Sequence, residues 1–83
     1  MLTIIWNDED DDGNAAHIAD NFLTFEDVEN VMENPVKDTV SYSSGRPVRI
    51  GYNMAGEKTA VVFEWIDEFT VYPVTAFRIE KGD

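Results

Sequence analysis

The segment 59–79, which reads TAVVFEWIDEFTVYPVTAFRI, limits the possible folds of this chain more than any other part of it. Residues 60–66 are apolar at nearly every position, so a strand formed there is apolar on both faces. Such a strand belongs in the middle of a sheet, with both faces covered. Residues 71–79 form a second strand, and the acidic turn at 67–69 predicts a hairpin loop of three to five residues. We therefore expect the rest of the chain to pack against a central hairpin.

This hairpin also predicts the core, in which Phe63 and Trp65 are buried together with Ile4 and Val28. A hydrophobic fraction of 43% in 83 residues is enough for one core, so we expect residues 1–83 to form a single domain. The absence of cysteine excludes disulfides, thiolate metal sites and a cysteine nucleophile. The opening MLTIIW is too short for a signal peptide or a membrane span, so we expect a cytoplasmic protein.

The net charge of −11 is distributed unevenly along the sequence. Residues 1–36 contain ten acids and no lysine or arginine, whereas residues 37–83 contain seven acids and all six basic residues. Such a balance argues against direct nucleic-acid binding, because phosphate binding needs lysine and arginine. It favours a basic protein partner, or it serves only to keep a small protein in solution.

The acidic run at residues 8–13, DEDDDG, matches the first half of a calcium loop, D-x-D-x-D-G. The match ends there, because the twelfth position of such a loop needs a bidentate glutamate and Ala19 occupies it. The simpler interpretation is a solvated turn whose carboxylates stabilise the start of the next helix, and the alternative is calcium binding in about the millimolar range or weaker. We predict no metal site and no cofactor.

Two helices are predicted before the remaining strands. The first, at residues 14–21, has one narrow apolar stripe, and His17, the only histidine, lies off it. The second follows Thr24, which forms a capping box with Asp27, and ends at the Asn-Pro pair at 34–35. Its apolar side faces the core, and its acidic side chains are expected in water: Glu26, Asp27, Glu29 and Glu33.

The remaining strands complete an α+β fold. Val40 and Tyr42 alternate with serines in one strand, and residues 48–53 form another, where Gly51 indicates a bulge or a close backbone approach. Pro73 removes one ladder donor from the last strand and predicts an unpaired edge or a bulge there. The element order is β-α-α-β-β-β-β, which predicts an antiparallel sheet with two helices packed on one face.

The search for catalytic residues yields one group of cations and one histidine. No nucleophile elbow, phosphate loop or dinucleotide fingerprint is present. Arg46, Arg49, Lys58 and Arg78 all lie in the strand half, where alternation places several on one exposed face as an anion site. Solvated strand charges are the simpler interpretation. The candidate base is His17 or a carboxylate, although a lone histidine is usually an ordinary helix residue.

Several motifs in the same order resemble the BrnT family of bacterial toxins, which are small RelE-like ribonucleases paired with a DNA-binding antitoxin. The similar pieces cover most of the chain: Trp6-Asn7, Thr24-Phe25-Glu26-Asp27-Val28, Asn34-Pro35, Gly51 and Thr75-Ala76. The resemblance implies a BrnT/RelE-like fold and an endoribonuclease that cleaves mRNA. The sequence departs from the family where a Lys-His-Gly piece is replaced by residues 20–22, and where Phe77 stands in place of an arginine.

These departures remove positive charge, so we rank three hypotheses. The first is a BrnT-like binding module of the toxin-antitoxin type that engages a basic protein partner. The second is an active endoribonuclease toxin, and the third is an acidic nucleic-acid mimic that inhibits a DNA- or RNA-binding protein. In the ribonuclease, the catalytic residues are Arg49, Arg78, His17 and Lys58. In the binding module, the partner-binding residues are Asp8, Asp10, Asp12, Glu26, Glu29 and Glu33. The sequence does not identify the partner or the oligomeric state.

Overall fold

The hairpin predicted at residues 59–79 lies at the centre of a five-stranded sheet in the computed structural model, which describes residues 2–7 and 13–79. The strand order is β1-β5-β4-β3-β2, so β4 is the middle strand, as predicted. The described residues form one α+β unit with two helices. In chain order the elements are β1 (Thr3–Ile4), α1 (Asn14–Asp20), α2 (Phe25–Glu33), β2 (Lys37–Val40), β3 (Pro47–Tyr52), β4 (Lys58–Asp67) and β5 (Thr70–Arg78).

The sheet is mixed, and the prediction of a wholly antiparallel sheet was wrong at its first strand. Strands β2 to β5 are antiparallel, but β1 runs parallel to β5, with Thr3 opposite Thr70 and Ile4 opposite Val71. A parallel pair needs a long connection, which the whole intervening chain supplies. Side-chain alternation shows which residues share a face but says nothing of the direction of an edge strand.

Both helices pack on the same face of the sheet, as predicted, with α1 over β5 and α2 over β3 and β4. The predicted capping box is present. The Thr24 hydroxyl accepts the Asp27 N–H at 3.2 Å, and the Asp27 carboxylate accepts the Thr24 N–H at 2.9 Å.

Within residues 2–7 and 13–79, no helix has the length and apolar character needed to cross a membrane. The core between helices and sheet consists of Ile18, Leu23, Val28, Val31, Met32, Val61, Phe63, Val71 and Ala76.

Two backbone predictions are confirmed. A β-carbon on Gly51 would lie 3.3 Å from the Val31 Cα and 3.2 Å from the Asn34 carbonyl oxygen, so α2 approaches β3 closely at that residue. Pro73 lies at a bulge. Val62 pairs with Thr75 and Phe63 pairs with Pro73, which leaves one extra residue in β5.

The predicted burial of Trp65 was wrong. Phe63 and Val28 are buried and Ile4 is partly buried, but 48% of Trp65 is exposed. The Trp65 ring makes an edge contact with Phe63, with ring centroids 5.5 Å apart. Trp65 shares the core face of β4, but it lies near the end of that strand, past the buried core residues Val61 and Phe63. Strand alternation gives the face of a residue but not how far along the strand the covering layer extends.

The second face of β4 is not covered by a helix, contrary to the expectation that both faces would be. Ala60 and Val62 on this face form a small apolar cluster with Val48, Ile50 and Ile79, to which neither helix contributes a residue. The β4–β5 loop is also shorter than predicted, because only residues 68–69 lie outside the two strands. Tyr42, predicted in a strand, lies in the turn after β2 with its side chain fully exposed.

Candidate functional site

The solvent side of α2 carries a row of carboxylates, Glu26, Glu29 and Glu33, which we call the acidic row. All three side chains are exposed, as the sequence predicted, and they border a shallow cleft with Met54. Glu33 accepts the backbone N–H of Leu2 at 3.2 Å, and in the described part of the chain none of the three has a lysine or arginine within ion-pair distance. The other predicted partner-binding residues, Asp8, Asp10 and Asp12, lie outside the described residues.

Arg49 lies on the helix-bearing face of the sheet, since it pairs across the ladder with the core residue Val61. Its guanidinium donates to the Met32 carbonyl at the end of α2 at 2.9 Å and to the Asp38 carboxylate at 3.0 Å. The same guanidinium lies over the rings of Phe63 and Trp65, 5.5 and 5.9 Å from their centroids. Arg49 therefore joins the end of α2 to the sheet.

Arg78 has an equivalent role at the corner between the two helices. It donates to the backbone carbonyls of Asn21 and Phe22 at 2.8 and 2.9 Å and to the Glu57 carboxylate at 2.9 Å. These bonds hold the corner in which Phe22 has a φ of 61°, a left-handed conformation that glycine adopts more readily. The charge of Arg78 is thus used to fix a strained turn.

The other three candidates lie elsewhere. Arg46 forms an ion pair of 2.7 Å with Glu64 at the edge of the uncovered sheet face. Lys58 is exposed at the end of the same face, opposite Tyr52 in the ladder. His17 is exposed in the last turn of α1. The structure therefore divides the cations between two faces of the sheet and does not bring all four together.

This arrangement offers no preorganised anion site in the described part of the chain. Stabilisation of a phosphorane-like charge needs several donors aimed at one point. Arg49 and Arg78 instead aim their donors at carbonyl oxygens of the helices, and each already has a carboxylate partner. The sequence contained one signal that Arg49 lies on the side of the sheet that carries the helices. Gly51 approaches α2, so Arg49, two residues away, shares the helix-bearing face.

Asp27 was predicted to lie in water, but the structure buries it, with 8% of the residue exposed. Its carboxylate accepts the backbone N–H groups of Thr24 and Met54, each at 2.9 Å, and so joins the start of α2 to the β3–β4 loop. Burial raises the pKa of this carboxyl, but the hydrogen bonds from the Met54 and Thr24 backbones and from the Thr24 side chain, together with the charge of Arg78, outweigh burial and hold the pKa below its ordinary value of 3.8.

A lowered pKa in the folded state makes stability depend on pH. The contribution of Asp27 is fully present above its unfolded pKa and is lost as the pH falls through the folded value. We expect the free energy of unfolding to decrease as the pH falls below about 4, and Asp27→Asn to cost about 1–3 kcal/mol at neutral pH because one donor loses its acceptor. Urea melts from neutral to acid pH test this. An Asp27→Asn variant whose acid transition is as steep as that of the wild type contradicts it.

The face of β2–β5 that points away from the helices is a shallow apolar groove, which we call the open face. The sequence did not reveal this groove, because a strand that is apolar on both faces predicts cover on both sides. Its rim carries hydroxyl groups and the Arg46–Glu64 pair. Its apolar lining consists of Tyr42, Val48, Ile50, Ala60, Val62, Val74, Phe77 and Ile79.

Within the residues that the structure describes, no three histidine or acidic side chains are grouped closely enough to hold a metal ion. The acidic run at 8–12, where half of a calcium loop was recognised, lies outside those residues. Comparison of the chain with protein-family models, with curated proteins and with solved structures finds no match to any of them.

Proposed function

We propose that this protein is a binding module that engages a basic protein partner through the acidic row of α2. The observation that carries the proposal is a difference between the arginine side chains and the glutamate side chains of α2. Every arginine in the chain is paired with a carboxylate, whereas Glu26 and Glu29 have no ion pair among the described residues. Exposed carboxylates on a rigid helix attract lysine and arginine side chains and accelerate encounter with a basic surface.

The same distribution of charge argues against the endoribonuclease alternative. An RNA-cleaving site must attract a polyanion and then stabilise further charge on a phosphate. The net charge of −11 opposes the first step, and the pairing of Arg49 and Arg78 with carbonyl and carboxylate oxygens leaves few donors for the second. In this proposal the two arginines stabilise the fold, and the purified protein does not cleave single-stranded RNA.

The sequence resemblance to BrnT supports the same class of function. A member of that family is paired with a basic DNA-binding antitoxin, and an acidic, inactive relative with a RelE-like topology would keep the partner and lose the cleavage. An acidic mimic of nucleic acid would also bind a basic protein. The partner distinguishes these two hypotheses. A BrnT-like binding module engages an antitoxin, whereas a nucleic-acid mimic engages a DNA- or RNA-binding protein.

Affinity capture from the native cell with matched charge variants tests this proposal. The test variant combines Glu26→Gln and Glu29→Gln. The control variant combines Asp20→Asn and Glu68→Gln, so each raises the net charge by two, from −11 to −9. We expect a basic protein to be retained by the wild type and the control variant and lost by the test variant. Mass spectrometry of the captured proteins identifies it.

Two results contradict the proposal. One is a partner that the test variant retains as well as the wild type does, since the acidic row would then have no part in binding. The other is growth arrest with loss of mRNA when the chain is expressed alone, abolished by Arg49→Lys or Arg78→Lys in a protein that still folds. Circular dichroism of each variant shows that the fold is intact, because Glu26 also lies in the first turn of α2.

A further inference from the structure

We infer that the open face binds a linear monocarboxylate, a fatty acid of medium chain length, with its hydrocarbon chain in the groove and its carboxylate between two lysines. The groove has a volume of about 510 Å³, which lies in the usual range for small-molecule sites. Its floor is the buried cluster of Val48, Ala60 and Val62, and more exposed apolar side chains, among them Phe77, line it further out. Such a lining suits the hydrocarbon part of a ligand.

Two exposed lysines lie at one end of this groove. Lys37 is opposite Ile50 in the β2–β3 ladder, and Ile50 is opposite Ala60 in the β3–β4 ladder, so the three lie in one row across the open face. Lys58 comes two residues before Ala60 and therefore shares that face. Strand spacing and rise put the Cα atoms of the two lysines about 12 Å apart. Their long, flexible side chains can both approach one anion bound between them.

The pairing of charges favours an anionic ligand at the lysine end. Neither lysine has a carboxylate within ion-pair distance among the described residues, whereas each arginine has one. Glu57, next to Lys58, is bound to Arg78. Glu64 is bound to Arg46 at the other end of the groove. The lysine end therefore has two positive charges that no carboxylate in the described part of the chain neutralises, and these attract a carboxylate and repel a cation.

The net charge of −11 does not prevent this binding, because the acidic row is on the other side of the molecule. Packed layers lie about 10 Å apart, and the acidic row is on the solvent side of α2, further still from the open face. The Debye length is about 8 Å at physiological salt, so the field of these carboxylates is largely screened at the groove. Two lysines in the groove are too few for a nucleic acid, which needs many phosphate contacts.

The shape of the groove favours a linear ligand. From Val48 to Tyr52 along β3 the groove and its lysine end extend about 14 Å. An extended chain advances about 1.2 Å per bond, so decanoate spans most of that length. One side of such a ligand stays in water, because the groove is shallow. For a half-enclosed ligand of this size we expect a dissociation constant of about 0.1–1 mM.

Titration of the isotope-labelled full chain with decanoate, followed by amide NMR shifts, tests this inference. We expect saturable shifts in β2–β5 at the groove, and none in the solvent-facing residues of α2. Combined Lys37→Gln and Lys58→Gln should weaken binding at least about fivefold, because it removes both partners of the carboxylate. Combined Lys37→Arg and Lys58→Arg is the matched control. It keeps both charges, so binding should stay within about twofold of the wild type.

A second pair of variants tests the apolar part of the groove. Phe77→Glu should weaken binding at least about tenfold, because it removes apolar surface and places a carboxylate beside the ligand. Phe69→Glu is its matched control, with the same change in charge. Phe69 is also an exposed phenylalanine, but it lies in the β4–β5 turn outside the groove, so binding should be unchanged. The amide spectrum of each variant shows that it is folded.

Three results overturn the inference. The first is the absence of saturable shifts up to about ten times the expected dissociation constant. The second is binding that the folded double glutamine variant retains in full, since the lysines would then not recognise the carboxylate. The third is a set of groove amides that shift with protein concentration in the absence of ligand, which would show that a second copy occupies the groove. The partner-binding role of α2 is tested separately and is unaffected by any of these.

Discussion

Phe63→Ala is expected to lower the free energy of unfolding by about 3–5 kcal/mol, the usual cost of removing a buried aromatic ring. Phe63 is 2% exposed in the middle strand β4 and contacts residues of the helix layer in the main core cluster. Its ring also supports Trp65 and the guanidinium of Arg49. A domain of this size has only about 5–15 kcal/mol of stability, so the variant should be close to unfolding.

Trp65→Ala is the control for this prediction. Trp65 is larger but 48% exposed, so we expect it to cost about 1–2 kcal/mol, less than the roughly 3–5 kcal/mol that full burial in the core would imply. Urea melts of both variants give the comparison. A greater loss for Trp65→Ala than for Phe63→Ala would show that the helix layer covers the end of β4, contrary to the structure.

Arg49→Ala is expected to have the second largest effect, a loss of about 2–4 kcal/mol. The change removes a charged hydrogen bond to the end of α2, an ion pair to Asp38 and the contact with two aromatic rings. It also leaves the Met32 carbonyl without that donor. Arg49→Lys should recover part of the loss, since lysine keeps the charge but not the planar fork.

Arg46→Ala is the matched control, because Arg46 is also ion-paired but its pair with Glu64 is solvent-exposed on both sides. Its loss should stay within about 1 kcal/mol. Urea melts measure both variants. If Arg49→Ala leaves stability unchanged, the guanidinium does not hold α2 to the sheet, and a role for Arg49 in binding an anion becomes the better explanation of its position.

The central hairpin and α2 could be predicted from the sequence because their signals are local. The alternation of residues 60–66, the capping box of Thr24 and the stop at Asn34-Pro35 each act within a few residues. Gly51 and Pro73 were also informative, since both change what the backbone permits. The parallel direction of β1 could not be predicted, because it depends on a partner strand more than sixty residues away.

The candidate site was harder to predict, because the role of each charged side chain depends on the face of the sheet on which it lies. Arg46, Arg49, Lys58 and Arg78 formed one predicted group because all four lie in the strand half of the sequence, but the register of the ladder puts Arg49 and Arg78 on the helix-bearing face. Asp27 looked like one of four solvated acids, and only the β3–β4 loop folding onto α2 buries it. The acidic row itself was predictable, since α2 has a clear apolar side and the carboxylates lie opposite to it.

The most direct test of the account is the salt dependence of partner binding by the acidic row. The captured basic protein, produced separately, is titrated against the wild type, the test variant and the control variant at about 0.05 and 0.5 M salt. We expect the test variant to bind roughly 10–100-fold more weakly than the wild type at low salt, and to lose less affinity as salt is added. The control variant should follow the wild type. Equal affinities and equal salt dependence for all three proteins would contradict the claim that α2 is the binding surface.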